Sequence, residues 1–221
     1  MSEIINTYLL NDPETVIAMD RQEFYDEQIK AFKKTGQPIR ANEIVDIFVF
    51  NSSGELLVQK RSDDKAHNPG LLDKSVGGHI SFGNEPDFTV MVETVQELQA
   101  PSIVLKNDVD YRKTINLLND YLKVVSVIKY VNTKIYKIEK IINGQKILIA
   151  NRIHAYFGVY DGSVKPVDRE ARGILWYSLK ELDDEMKRLP ETFSCDMHAL
   201  FKELRPEIEE FLELLAKQKK S

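Results

Sequence analysis

Two glutamates spaced four residues apart, Glu93 and Glu97, are the clearest candidates for chemistry in this sequence. Residues four apart lie on the same side of an α-helix, so their carboxylates come close together there. Like charges at this spacing destabilise an isolated helix by about 0.2–0.5 kcal/mol, and a hard divalent cation with oxygen ligands would offset the repulsion. The alternative is a pair of solvated surface glutamates. The spacing alone favours this second interpretation, because such pairs are common.

A glycine-rich loop directly precedes this helix and favours a functional role for the two glutamates. Gly77, Gly78 and Gly83 have no side chain, so the backbone there can approach a ligand closely. Pro86 suits the first position of a helix, because its missing N–H would be unpaired there anyway. Apolar residues recur at spacings of three and four and predict one stripe that faces a core. These residues are Phe88, Met91, Val92, Val95 and Leu98.

The stretch from Gly77 to Ala100 resembles the Nudix box, the signature loop and helix of hydrolases that cleave nucleoside diphosphates linked to another moiety. With Gly78 as the opening glycine, Glu93 falls on the catalytic Glu of the box and Glu97 on the second of its paired metal-binding glutamates. Four positions depart from the pattern. The family has Glu, Arg, Glu and Gly where this chain has Asn84, Val92, Gln96 and Gln99.

The resemblance implies a Mg²⁺ or Mn²⁺ site. Its ligands would be Glu97, with Glu93, Gln96 and the carbonyl of Gly77. Gln96 offers an oxygen without a charge, so we expect weaker metal binding than in a full box. Val92 removes the guanidinium that holds the neighbouring glutamate in the family, so we expect Glu93 to be less firmly placed.

Further candidates lie outside the helix. The resemblance implies that Arg61 falls on a recurring arginine of the family and that Lys65 and Lys74 lie near a substrate diphosphate, although solvation of a polar loop explains the lysines equally well. In some family members an acidic residue before a later strand adds a metal ligand. Asp168 and Glu170 are the candidates for that role here.

Three functions remain open. The first is a metal-dependent pyrophosphohydrolase acting on a nucleoside-diphosphate or related small molecule, with Glu93 and Glu97 as catalytic residues. The second is a Nudix fold that has lost catalysis and binds a nucleotide or a protein. The third is isopentenyl-diphosphate isomerase chemistry, because the loop SVGGHISFGNE is similar to that enzyme's and His79 falls on its metal-binding His. Gly77 stands at its acid–base Cys, which argues against this activity.

The resemblance implies an α/β (α+β) fold, a Nudix-type α/β/α sandwich with a mixed central sheet. We expect residues 1–40 to form an N-terminal strand and helix packed on the main fold. Residues 41–221 would form the Nudix domain, with an insertion at about 102–150 that holds an extra helix and a β-hairpin. The local signals for these elements are Asp20 and Gly36 around a helix, Asn143-Gly144 between two strand-like runs, and Ser178 with Glu181 as a capping box.

Composition excludes few classes of protein. The 221 residues carry a net charge of −5, which gives no reason to expect nucleic-acid binding, and one cysteine, Cys195, which cannot form an intramolecular disulfide. No apolar run approaches the roughly 20 residues of a membrane span. We therefore expect a cytoplasmic protein with a small-molecule diphosphate as partner, no nucleic acid and no membrane. The added hairpin makes a homodimer possible.

Overall fold

The computed structural model describes residues 3–142, 144–165 and 171–218. In this part of the chain the strands are β1 Ile4–Leu9, β2 Asp12–Asp20, β3 Arg40–Phe50, β4 Leu56–Arg61, β5 Leu72–Asp73, β6 Val76–His79, β7 Ser102–Leu105, β8 Ser126–Ile142, β9 Gln145–Val159 and β10 Ala171–Tyr177. The helices are α1 Arg21–Thr35, α2 Pro86–Glu93, α3 Asp108–Leu118, α4 Leu179–Arg188, α5 Cys195–Glu203 and α6 Arg205–Gln218. None of the helices in these residues is long and apolar enough to cross a membrane.

The strands form one mixed sheet around β3. Its order is β10-β4-β3-β9-β8-β7, with β3 parallel to β9, β7 parallel to β8, and the other neighbours antiparallel. One end of β3 also pairs with β1, and its middle pairs with the glycine strand β6. In that pairing Ile44 lies opposite His79 and Asp46 lies opposite Gly77. The buried strand β3 therefore fixes the position of the glycine loop.

Helices cover both faces of the sheet. On one face the even-numbered positions of β3, such as Phe48 and Phe50, pack against residues of α3, α5 and α6 that include Tyr111 and Phe211. On the other face the odd positions of β3 pack against α2. This is the expected α/β/α sandwich with a mixed sheet, and the expectation is confirmed.

Several local predictions from the sequence match the observed elements. Asp20 accepts hydrogen bonds from the backbone N–H groups of Gln22 (2.8 Å) and Glu23 (3.2 Å) at the start of α1, and Gly36 ends the helix with φ of 69°. Ser178 and Glu181 form the capping box of α4. The long strands β8 and β9 flank Gly144 as a hairpin. Short-range capping and turn chemistry explains these matches.

The predicted apolar stripe of α2 is wrong in its orientation. Phe88, Met91 and Val95 are 49%, 39% and 54% exposed. Leu98, from the predicted stripe, is fully buried, but so is Val90, which was not part of it. The buried side of the helix also contains Thr89 and Thr94. Threonine was counted as polar, which concealed the buried row at positions 90, 94 and 98. The helix is rotated so that its glutamates turn towards the glycine loop.

Candidate active site

A cavity of about 210 Å³ opens between the glycine strand β6, helix α2 and helix α1. Its walls include seven residues selected from the sequence, and charged and polar side chains dominate them. The seven are Arg61, Lys65, Lys74, Gly77, His79, Glu93 and Glu97.

Glu93 reaches the cavity across the backbone of Gly78. A Cβ atom built on Gly78 would overlap the carboxylate of Glu93, so any side chain larger than hydrogen would displace it. Helix α2 positions Glu93 because Val90, one turn earlier, is buried against the sheet. The close approach gives a physical reason for the opening glycine of the box.

Glu97 lies in a π-helical turn, Thr94–Leu98, that continues α2. Gln59 on β4 donates from Nε2 to Oε2 of Glu97 at 2.8 Å and also to the backbone carbonyl of Ser75. One amide group therefore connects Glu97 with the segment just before β6. This hydrogen bond fixes the carboxylate on the cavity side.

Gln99 ends the π-helical turn in a left-handed conformation, with φ of 56°, and its N–H bonds the carbonyl of Thr94. The closing glycine of the Nudix box falls on this position. Glycine adopts positive φ without the steric cost that a side chain brings. Gln99 thus adopts a backbone conformation that suits glycine better.

The structure does not bring every selected residue to the cavity. Gln96 is exposed and does not line it, because adjacent helical residues point about 100° apart and Glu97 faces inward. Gln96 is therefore placed away from the position that a shared metal ion would need. Asp168 and Glu170 lie outside the described residues.

Lys74 is a buried cation of the cavity wall. Its Nζ lies 3.0 Å from Oδ1 of Asp46 and 3.9 Å from Oδ1 of Asp73. Burial acts to lower the pKa of Lys74, but the carboxylates of Asp46, Asp73 and Asp196 outweigh it and raise the pKa, so the ammonium group stays charged. Burial raises the pKa of Asp46 to about 7, against the opposing effect of Lys74.

Arg61 is held at the cavity by two contacts. Its Nη1 lies 3.1 Å from Oδ2 of Asp73, and its Nε donates to the carbonyl of His67 at 3.1 Å. Ser194 donates to the other oxygen of Asp73 at 2.8 Å, which fixes that carboxylate in turn. The guanidinium is therefore oriented before any ligand binds.

Helix α1 forms one wall of the cavity through Tyr25. The hydroxyl of Tyr25 and Nε2 of His79 are hydrogen-bonded at 3.1 Å, and the Tyr25 ring lies 4.2 Å from the ring of His67. Burial, reinforced by nearby cations, lowers the pKa of His67 to about 3 and holds the pKa of His79 well below its usual value. Both imidazoles are therefore neutral at physiological pH.

The donor atoms fit a divalent cation that is held partly by the protein. Glu93 and Glu97 supply hard oxygen ligands, and the close approach to Gly78 brings the carboxylate of Glu93 to the glycine loop. Among the described residues, no group of three or more His, Cys, Asp or Glu side chains is arranged to hold a metal. Two carboxylates nevertheless suit Mg²⁺, which is commonly bound by one or two carboxylates together with substrate phosphates.

Several residues that line the cavity were not selected from the sequence. Tyr25 belongs to helix α1 and Asp196 to helix α5, both far from the box in the chain. Asp46 and Lys140 lie at inward positions of the strands β3 and β8, where a charged residue interrupts apolar neighbours. A buried charge in a strand pattern was the signal that could have identified these two.

Comparison with known proteins supports the same fold. No model of a known protein family matches the chain. An isopentenyl-diphosphate Delta-isomerase of Serratia proteamaculans (strain 568) is 28% identical over 159 residues, which cover 72% of this chain and 73% of that protein. The crystal structure of DR0079 from Deinococcus radiodurans matches with a TM-score of 0.56 and 16% identity, covering 87% of this chain and 92% of that one.

The similarity to DR0079 shows the fold of this chain, a mixed sheet with helices on both faces. A structure described as a NUDIX-family hydrolase from Clostridium perfringens is 15% identical and covers 79% of this chain and 95% of that one, with a TM-score of 0.43. Within this fold, the cavity lies where the glycine loop and helix α2 meet.

Proposed function

We propose that this protein is a metal-dependent hydrolase that cleaves a diphosphate linkage in a nucleoside-diphosphate or related small molecule. The observation that carries the proposal is that the two box glutamates, Glu93 and Glu97, face the same cavity as the cations Arg61, Lys65 and Lys74. The phosphate oxygens of a diphosphate are negatively charged and bind cationic side chains. Its hydrolysis also needs a divalent ion, which carboxylates hold. The cavity offers groups of both kinds.

The chain's own residues would divide the work as follows. Glu93 and Glu97 hold the divalent ion, and Arg61 and Lys74 bind and orient the phosphate oxygens. A bound Mg²⁺ or Mn²⁺ supplies positive charge that polarises a phosphate oxygen and lowers the pKa of water. Glu93 takes a proton from the attacking water. The water oxygen bonds to phosphorus while the phosphoanhydride P–O bond breaks.

The test is phosphate release from a panel of nucleoside-diphosphate compounds and isopentenyl diphosphate, with Mg²⁺ or Mn²⁺ and with chelator. We expect Glu93→Gln and Glu97→Ala to lower metal-dependent turnover by about 100-fold or more, because each removes a carboxylate from the cavity. Glu210→Gln changes an exposed glutamate on α6 and serves as the matched control. Unchanged turnover in Glu97→Ala would refute the assignment of the site.

A binding role is the second candidate, since Val92 and Gln96 replace two charged residues of the box. Calorimetric titration with Mg²⁺ and with nucleotides separates the two functions. Binding of a nucleotide without turnover on the substrate panel would favour the binding role.

Isomerase chemistry fits the cavity poorly, although the curated relative carries that name. A Cβ at Gly77 would lie 2.7 Å from Cε of Lys74 and 2.8 Å from Oδ1 of Asp46, so a thiol has no room there without displacing the ion pair. Cys195, on α5, does not line the cavity. A proton transfer across an alkene needs an acid and a base on opposite sides, and the thiol is missing from this arrangement.

A further inference from the structure

Lys140 is a second buried lysine in the wall of the cavity, and it comes from the hairpin strand β8 rather than from the box region. Its side chain is 10% exposed, as is that of Lys74. The nearest carboxylate oxygen, Oδ1 of Asp196, lies 3.5 Å from Nζ. That separation exceeds a normal charge-assisted hydrogen bond of about 2.7–2.9 Å, so the ammonium retains donor capacity for another acceptor.

The charge of Lys140 is retained despite its burial. Burial acts to lower the pKa of Lys140, but Asp196, Tyr25 and Asp46 together outweigh it and hold the pKa above its usual value. Asp196 in turn has a lowered pKa, because Lys140, Lys74 and Arg61 outweigh the effect of burial. Both groups of the pair are therefore ionised in the folded protein.

Stability alone gives no reason for this arrangement. Removing an ammonium group from water costs several kcal/mol, and buried ion pairs are often no more stabilising than apolar residues of similar volume. Lys140 also occupies an inward position between the buried residues Ile138 and Ile142, where an apolar side chain would pack. A charged residue at such a position in a cavity is typical of a binding site.

Asn68 holds the loop before β5 against the hairpin end that carries Lys140. Its N–H donates to the carbonyl of Ile141 at 3.3 Å, and its Oδ1 accepts from the N–H of Ile141 at 3.2 Å. Its Nδ2 donates to Oδ2 of Asp196 at 3.1 Å. Asn68 therefore fixes both the backbone of Ile141, next to Lys140, and the carboxylate of Asp196.

We propose that Lys140 binds a phosphate oxygen of the substrate, so that the β8–β9 hairpin supplies a ligand to the diphosphate together with Lys74 and Arg61. This inference rests on the proposed function, because it assigns a ligand of the diphosphate that the hydrolase would cleave. The volume of about 210 Å³ is below the roughly 300–1,000 Å³ of pockets for drug-sized ligands. The cavity therefore encloses the diphosphate, and a larger remainder of the substrate lies outside it.

The experiment measures binding of methylenediphosphonate, a diphosphate analogue that cannot be hydrolysed at its bridge, by calorimetry with Mg²⁺. Lys140→Met alone leaves the carboxylate of Asp196 buried without its partner, so the informative variant is Lys140→Met combined with Asp196→Asn. Asp196→Asn alone is the reference, because it removes the same carboxylate and keeps the lysine. Lys137→Met is the control for loss of an exposed lysine on the same strand.

We expect Lys137→Met to bind the analogue as tightly as the unchanged protein. The double variant should bind about tenfold more weakly than Asp196→Asn, which corresponds to about 1.4 kcal/mol. Affinities of these two variants within twofold of each other would overturn the role of Lys140, and so would absence of analogue binding to the unchanged protein. Normal Lys140-dependent binding without turnover on the substrate panel would overturn the hydrolase proposal and leave this one standing.

Discussion

Gln99 carries a conformational cost that a single substitution would remove. Its φ of 56° places a side chain in the left-handed region at the end of the π-helical turn. We expect Gln99→Gly to stabilise the protein by about 0.5–1 kcal/mol, because the relief of strain exceeds the added entropy of the unfolded chain. Urea unfolding measures the change. Gln96→Gly, at an exposed helical position three residues earlier, should instead destabilise by about 1 kcal/mol.

His67 should make stability depend on pH. Its folded-state pKa of about 3 lies below the ordinary value near 6.5, so between these values the unfolded chain binds a proton that the folded chain does not. The contribution of this group is therefore present above about pH 6.5 and is lost as the pH falls. We expect the free energy of unfolding to drop by roughly 1–2 kcal/mol more in the unchanged protein than in His67→Phe between pH 7 and pH 5. Urea titrations of both proteins at the two pH values test this, and an equal drop would contradict it.

At the scale of elements, the glycine strand β6 and the helix α2 depend on each other through one close approach. We expect Gly78→Ala to displace the carboxylate of Glu93 and to lower metal-dependent turnover by at least about tenfold, as small misplacements of reacting groups do. Gly173→Ala is the control, because the added Cβ would only touch Lys60 at 3.9 Å. Full turnover in Gly78→Ala would mean that Glu93 does not need its position over the loop.

Local elements could be predicted from the sequence because their signals are short-range. The caps of α1 and α4 and the hairpin at Gly144 are determined by residues within a few positions of each other. Strand β7 escaped prediction because it gains its place from parallel pairing with β8, which follows only after helix α3. The rotation of α2 was also missed, since its buried row at positions 90, 94 and 98 includes a threonine.

The candidate site was predictable only in part for the same reason. The box glutamates and the cations Arg61 and Lys74 follow from a contiguous motif and its preceding loop. Lys140 and Asp196 reach the cavity through contacts between segments far apart in the chain, such as the hydrogen bond from Asn68 to Asp196. No spacing in the sequence encodes such a contact.

At the scale of the whole molecule, the N-terminal segment shares its core with the hairpin. Phe24 and Tyr25 of α1 pack with Ile142 and Ile149, and β1 adds to the same sheet as β3. We therefore expect one cooperative unfolding transition. Fluorescence of the single tryptophan, Trp176 on β10, and far-UV circular dichroism should give the same urea midpoint. Separate midpoints would show that the N-terminal segment unfolds independently.

The buried polar contacts of the cavity wall can form only late in the synthesis of the chain. Asn68 bonds Asp196 and Asp73 bonds Ser194, so the cavity wall joins segments separated by 128 and 121 positions in the chain. A nascent chain grows from its N-terminus, and α5 emerges from the ribosome long after the box helix has formed. Until then Lys140 lacks the carboxylate of Asp196 and the hairpin lacks the helix that packs on it. A chain stalled before α5 would thus display the box without a closed cavity, which makes it a ready substrate for chaperones and proteases.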